Sequence, residues 1–243
     1  MLLLDVGNTN ISAARSMNGI IVDSFTCSPR VCVERLSDMV DADGAESMLV
    51  SSVVPAVSRK LRSFSKKHGI KYYQCGCELT IPVKNLYDDP SEVGMDRLLN
   101  VYAVNRLYAG RDVRLVIDLG TALTFDFITK RGAYHGGLIF PGMKIALQGL
   151  LDTCALLPDR LELKPTRRLK ARNTAECINN GVDYGYSFLI SGLIAHIKQK
   201  DADLKTLITG GGAEFLIKKI CKIDYYDKLL ALKGLNELAR ELL

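Results

Sequence analysis

One pattern occurs twice in this 243-residue chain, 113 residues apart, and it limits the possible folds more than any other feature. Leu2 to Val6 is a short apolar run with Asp5 near its end, and it breaks at Gly7-Asn8-Thr9, residues that favour turns. Two further strand-like runs follow, Asn10 to Arg15 and Gly19 to Phe25, joined by a turn around Asn18-Gly19. Arg114 to Leu119 repeats the apolar run, with Asp118 near its end. Gly120-Thr121-Ala122 then replaces the first turn, and Leu123 to Thr129 and Tyr134 to Phe140 replace the later strands. A strand that ends in D-x-G and opens a meander, met twice, implies two related halves.

Strands and helices alternate after each meander. In the first half, Val31 to Val40 has helical spacing, and Ser47 to Val53 and Ile70 to Gln74 read as strands. Between those strands, Pro55 to His68 reads as a helix with proline in its first turn. Leu86 to Met95 is a turn-rich loop before a helix at Asp96 to Tyr108. The second half predicts helices at Lys144 to Leu151, Thr174 to Lys198, Gly211 to Cys221 and Leu235 to Leu243, with strands at Lys205 to Thr209 and Lys228 to Leu232. The expectation is a duplicated α/β fold with mixed sheets, divided near Gly110 to Val113 into residues 1–112 and 113–243. The two D-x-G turns would face a nucleotide cleft between the halves.

Composition removes other classes. An apolar fraction of 48% with 24% charged residues supports a sizeable core and excludes disorder as the main state. The seven cysteines are odd in number, and the one close pair, Cys75-Gly76-Cys77, has no second pair or histidine to complete a zinc site. Reduced thiols in a cytoplasmic protein are expected. No apolar run approaches the roughly 18 residues of a membrane span. Met1 to Leu4 meets Asp5 without a charged leader, so no signal peptide is expected. The net charge of +5 gathers in two blocks, Val57 to Lys71 and Leu157 to Arg172. The first reads as a solvated helix face, without the aromatic interleaving that nucleic acid favours. The second precedes Asn173-Thr174 and is either a solvated loop or a means of concentrating anionic ligands.

The D-x-G turns carry the chemistry. A carboxylate at a strand end can hold hydrated magnesium through its waters, and Gly7 lets backbone approach a phosphate. The amides of Asn8 and Thr9 and the Thr9 hydroxyl can donate to phosphate oxygens. Alone, Asp5 to Thr9 reads first as an ordinary hairpin turn; the second copy, Asp118 to Thr124, reverses that by adding a second clamp and a second carboxylate. Two phosphate clamps suit a nucleoside triphosphate with its metal. Thr209-Gly210-Gly211-Gly212-Ala213, at a strand-to-helix turn, suits adenosine. Asp96-Arg97 offers a proton acceptor and a fork for a carboxylate, or else a capping aspartate beside an exposed arginine.

Six segments in order resemble the type III pantothenate kinases: D-V-G-N-T at Asp5, G-M-D-R at Gly94, D-L-G-T-A-L-T at Asp118, G-G-L-I-F-P-G at Gly136, N-T at Asn173 and T-G-G-G-A at Thr209. The resemblance implies two ribonuclease-H-like halves of the actin-like and sugar-kinase superfamily. It implies ATP-dependent phosphorylation of pantothenate to 4'-phosphopantothenate, the first step of coenzyme A synthesis. Asp96 would be the general base. Tyr87, Gly94, Met95, Asp96, Arg97 and Thr174 would bind pantothenate at a homodimer interface. Asp5, Val6, Gly7, Asn8, Thr9, Asn10, Ile11, Ser12, Thr121, Gly210 and Gly211 would bind ATP. Asp5 would face magnesium, and Asp118 would hold a monovalent cation, potassium or ammonium. The rival readings are a sugar kinase or phosphatase on the same fold, and a nucleotide-switched regulator. The first has no use for Asp96-Arg97 beside Tyr87, and an intact Asp96 argues against the second.

Overall fold

Leu2, Leu3 and Leu4 are all fully buried, so both faces of the first strand are covered and it must lie inside a sheet. This strand, β1 (Leu2–Val6), pairs antiparallel with β2 (Ile11–Met17) and parallel with β4 (Ser47–Ser52). β3 (Ile20–Cys27) extends the sheet beyond β2, and β5 (Lys71–Gln74) extends it beyond β4. The second sheet repeats the arrangement. β6 (Val113–Leu119) is central, with β7 (Ala122–Ile128) antiparallel to it, β9 (Lys205–Thr209) parallel, β8 (Tyr134–Pro141) beyond β7 and β10 (Tyr225–Tyr226) beyond β9. Both five-stranded sheets thus have the order 3-2-1-4-5 when each is numbered from its own first strand. The same mixed α/β sheet is present twice, as the repeated D-x-G pattern implies. The computed structural model describes residues 1–29, 35–37, 45–166 and 168–243.

Two compact units result. The first comprises Met1–Arg111, Ile128–Gly136 and Leu229–Leu243; the second comprises Asp112–Phe127 and Gly137–Lys228. In the first, Leu2, Leu4, Val6, Ile11, Met48 and Val50 pack against Leu61 and Phe64 of α1 (Pro55–Lys67). α2 (Met95–Leu107) is buried along most of its length and packs against the closing helix of the chain. In the second unit, Leu115, Ile117, Leu119, Leu123 and Phe125 pack against Ile190 and Ile194. Those isoleucines belong to α4 (Thr174–Lys200), which follows α3 (Met143–Thr153).

Three expectations need comment. The strand expected at Lys228 to Leu232 is not there: its place in the sheet is taken by Tyr225–Tyr226, and Leu230 begins a helix. The apolar residues Leu230, Leu235, Leu238 and Ala239 recur at helical spacing and are buried, so helical packing prevails. A Cβ on Gly234 would lie 2.8 Å from the Ala103 Cβ, so it is a packing glycine where two helices meet. The helix expected at Gly211 to Cys221 is regular only over α5 (Ala213–Leu216); the closing helix, α6, spans Leu230–Leu242. The helix expected at Val31 to Val40 lies outside the described residues except for 35–37.

Candidate active site

In the first unit Asp5 is the last residue but one of β1. It stands level with Ser12 on one side and Ser51 on the other. Gly7 then closes a turn, its N–H donating to the Asn10 carbonyl at 3.0 Å. A Cβ on Gly7 would sit only 3.2 Å from that oxygen, so the turn is tight. Asn8, Thr9 and Asn10 are exposed on the turn, while the side chains of Val6 and Ile11 are buried in the core. A ligand over this turn therefore meets Val6 and Ile11 only through backbone. The Ser12 hydroxyl lies 3.4 Å from that of Thr26. Behind the turn, burial and then the Asp5 charge push the Cys75 thiol up to about 12, which keeps it protonated and unreactive.

Gly94 is the N-cap of α2, and Asp96 lies in its first turn. A Cβ on Gly94 would collide with the Asp96 carboxylate, so the glycine makes room for it. Asp96 Oδ1 accepts the Arg97 N–H at 2.9 Å. Burial pushes this carboxyl above its ordinary range, and the Arg97 N–H and guanidinium only partly reverse that. The guanidinium of Arg97 lies 5.4 Å from the ring centre of Tyr134, on which the Tyr87 ring also stacks at 6.1 Å. Met95 packs its sulfur against Gly76, which has a φ of +81°. Tyr87, Gly94, Asp96 and Arg97 thus form one neighbourhood, organised around Tyr134. Sequence reading missed Tyr134. Its only signal is a tyrosine opening the strand that carries Gly136-Gly137.

The second unit gathers three glycines, from two segments, on its D-x-G turn. The Gly142 N–H donates to the Thr121 carbonyl at 3.0 Å, and any Cβ on Gly142 would overlap that carbonyl. The Gly212 N–H donates to the Leu119 carbonyl at 2.8 Å. Gly210, with a φ of +89°, lies so close that a Cβ would overlap Asp118 Oδ1 and come within 2.7 Å of the Leu119 nitrogen. Asp118 also faces Thr124 across β7 and Thr209 across β9. Gly211 is exposed with open space beside it. This wall is mostly backbone with one partly exposed carboxylate, a surface suited to phosphate and sugar rather than to a large apolar ligand. Thr174 opens α4 and is exposed; its neighbour Asn173 caps the helix by accepting the Glu176 N–H at 2.9 Å. Thr124 donates to Asp126 at 2.9 Å, and that fully buried aspartate, also missed in the sequence, anchors the strand behind the turn.

Among the described residues no cluster of three or more histidine, cysteine, aspartate or glutamate side chains could hold a metal. Single carboxylates at Asp5 and Asp118 fit a cation whose remaining ligands are water and phosphate oxygen, the usual state of nucleotide-bound magnesium. Among the described residues no helix is long and apolar enough to cross a membrane.

Comparison with known proteins identifies the family. The family model for type III pantothenate kinase matches residues 1–196. A type III pantothenate kinase of Persephonella marina is 32% identical, the match covering 98% of this chain and 97% of the relative. One from Phocaeicola vulgatus is 34% identical over 98% of this chain and 96% of its own length. Among solved structures, a Campylobacter jejuni protein assigned to the Baf family of transcriptional activators shares the fold, with a TM-score of 0.59 at 20% identity over 99% of this chain and 98% of its own.

Proposed function

The chain belongs to the type III pantothenate kinases and phosphorylates pantothenate with ATP and a divalent metal in coenzyme A synthesis, and we propose that Asp96 is the general base of that transfer. The observation that carries this reading is the half-buried Asp96 carboxylate at the start of α2, next to Arg97 and in one neighbourhood with Tyr87. Burial raises its proton affinity, while the Arg97 N–H orients it. In the reaction the pantothenate hydroxyl oxygen bonds to the γ-phosphorus, the bond from that phosphorus to the bridging oxygen breaks, and ADP leaves. The hydroxyl proton passes to Asp96.

The other assignments follow the same reading. Tyr87, Gly94, Met95, Arg97 and Thr174 line the acceptor pocket, with the Arg97 fork on the pantothenate carboxylate. The turn from Asp5 to Ser12 holds ATP phosphates, with Thr121, Gly210 and Gly211 also on the nucleotide. Asp5 faces the magnesium ion through water, and Asp118 holds a monovalent cation. Bound metal neutralises phosphate charge, and the chain's own part is to hold the phosphates, the acceptor hydroxyl and its proton in register. The second unit offers an apolar face on α4, and this supports a homodimer in which the acceptor pocket is completed.

Asp96→Asn tests the base. Turnover measured as pantothenate-dependent ADP release should fall by about 10²–10⁴-fold, with nucleotide binding nearly intact. A variant with full turnover excludes Asp96 as the base. Replacing potassium by sodium should lower the rate of the native protein but not that of Asp118→Asn. Equal native rates in both salts would remove the cation from Asp118.

A further inference from the structure

We propose that Tyr134 is a positioning residue for pantothenate: its ring fixes where Tyr87 and Arg97 stand. The inference rests on the reading that Tyr87 and Arg97 contact the acceptor substrate, and it names the residue on which both depend. Tyr134 is fully buried at the start of β8. Its backbone holds the loop that carries Tyr87: the Tyr134 N–H donates to the Lys84 carbonyl at 2.9 Å, and the Leu86 N–H donates to the Tyr134 carbonyl at 3.0 Å. Asn85, paired with Tyr134 in an isolated bridge, accepts the Tyr87 N–H at 3.0 Å and donates to the Pro90 carbonyl at 3.3 Å. The backbone of Tyr87 is therefore fixed on both sides.

The ring of Tyr134 then sets the side chains. The Tyr87 ring stacks on it with 27° between the planes. Room for Tyr87 comes from Gly136, whose φ is +103° and where a Cβ would meet the Tyr87 ring at 3.4 Å. Arg97 is 9% exposed, and its guanidinium stands over the Tyr134 ring within the roughly 6 Å at which a cation is drawn to an aromatic face. A buried arginine has many side-chain conformers, and one aromatic face selects among them. The fork then points one way before substrate arrives, which lowers the ordering cost of binding. Tyr134 acts on the substrate only through these two residues.

The test compares pantothenate and ATP kinetics for Tyr134→Leu, Tyr134→Phe, Arg97→Ala and Tyr87→Ala. Tyr134→Leu should raise KM for pantothenate about tenfold, the scale of one desolvated cation–aromatic contact, and leave KM for ATP within about twofold. Tyr134→Phe keeps the aromatic face and should stay within about twofold on both. An unchanged pantothenate KM in Tyr134→Leu, with a raised one in Arg97→Ala, overturns the positioning role while the pocket stands. Unchanged pantothenate KM in Arg97→Ala and Tyr87→Ala overturns the pocket reading itself. Should Tyr134→Leu fail to fold, a fluorinated phenylalanine series at position 134 preserves shape while weakening the ring face. Pantothenate KM that climbs with fluorination supports the role, and a flat series overturns it.

Discussion

At Asp96, folding and chemistry pull in opposite directions. Its carboxyl is pushed above the ordinary value of 3.8, with burial outweighing the help of the Arg97 N–H and guanidinium. For a group whose folded pKa is raised, the stabilising contribution is intact below the unfolded pKa and is lost as pH rises through the folded pKa. Near pH 7 the ionised carboxylate therefore destabilises the fold, a cost that the proposed role as proton acceptor would explain. Asp96→Asn should accordingly raise the Tm near pH 7 even as it removes turnover. The gain should shrink as pH falls into the range where the native carboxyl is protonated. Thermal melts across pH check this, and a lower Tm for the variant at pH 7 would mean that the charged form holds the start of α2. The same shift places the acid limb of native kcat/KM above 3.8.

Among elements, the second D-x-G turn depends most plainly on a neighbour. Gly142 stands where a methyl would overlap the Thr121 carbonyl, whereas Gly149, on α3, has open space. Gly142→Ala should force the turn and the loop apart and raise KM for ATP about tenfold or more. Gly149→Ala should leave kinetics unchanged and add roughly 0.5–1 kcal/mol of stability through better helix propensity. An unchanged ATP KM in Gly142→Ala would take Thr121 off the nucleotide. Such packing explains what the sequence could reveal. The strands Leu2–Val6 and Lys205–Thr209 were legible to the residue, because short runs around apolar or β-branched residues end in glycine turn chemistry. Of the closing helix only the part from Leu235 was legible; its start at Leu230 was not, because Gly234, packed against Ala103, lies inside the helix where a glycine usually weakens one. In the site, Asp96 and Asp118 were legible from motifs. Tyr134 was not, because its role lies in two ring contacts across more than 30 residues of chain, and no local pattern records those.

For the whole molecule, the homodimer is the assignment with the most surface to explain. In the second unit Phe188 is 64% and Leu169 63% exposed, and with Ala171, Gly181, Tyr184 and Gly185 they border a cavity of about 330 Å³. Contiguous apolar surface of this kind marks interaction sites more often than plain solvent-facing surface. The face is also held in place from beneath. Asn180 donates to the Arg168 and Leu169 carbonyls at 2.7 and 3.0 Å. The buried Asp183 carboxylate accepts from Thr166 and pairs with Lys219 at 2.6 Å. A segment tied down by buried polar groups pays little ordering entropy on binding, and Gly181 and Gly185, one turn apart with open space above them, allow close approach of a second helix. A two-fold contact here would bury Phe188 against the apolar face of the second copy, so Phe188→Lys would put an unpaired charge into it. The native protein should have a mass in light scattering of two chains of 26.8 kDa, and Phe188→Lys a mass of one. Thr174 opens the same helix, so the monomeric variant should also show a raised pantothenate KM with little change for ATP. A native monomer would remove the dimer outright. A monomeric Phe188→Lys with native pantothenate KM would keep the dimer but complete the acceptor pocket within one chain.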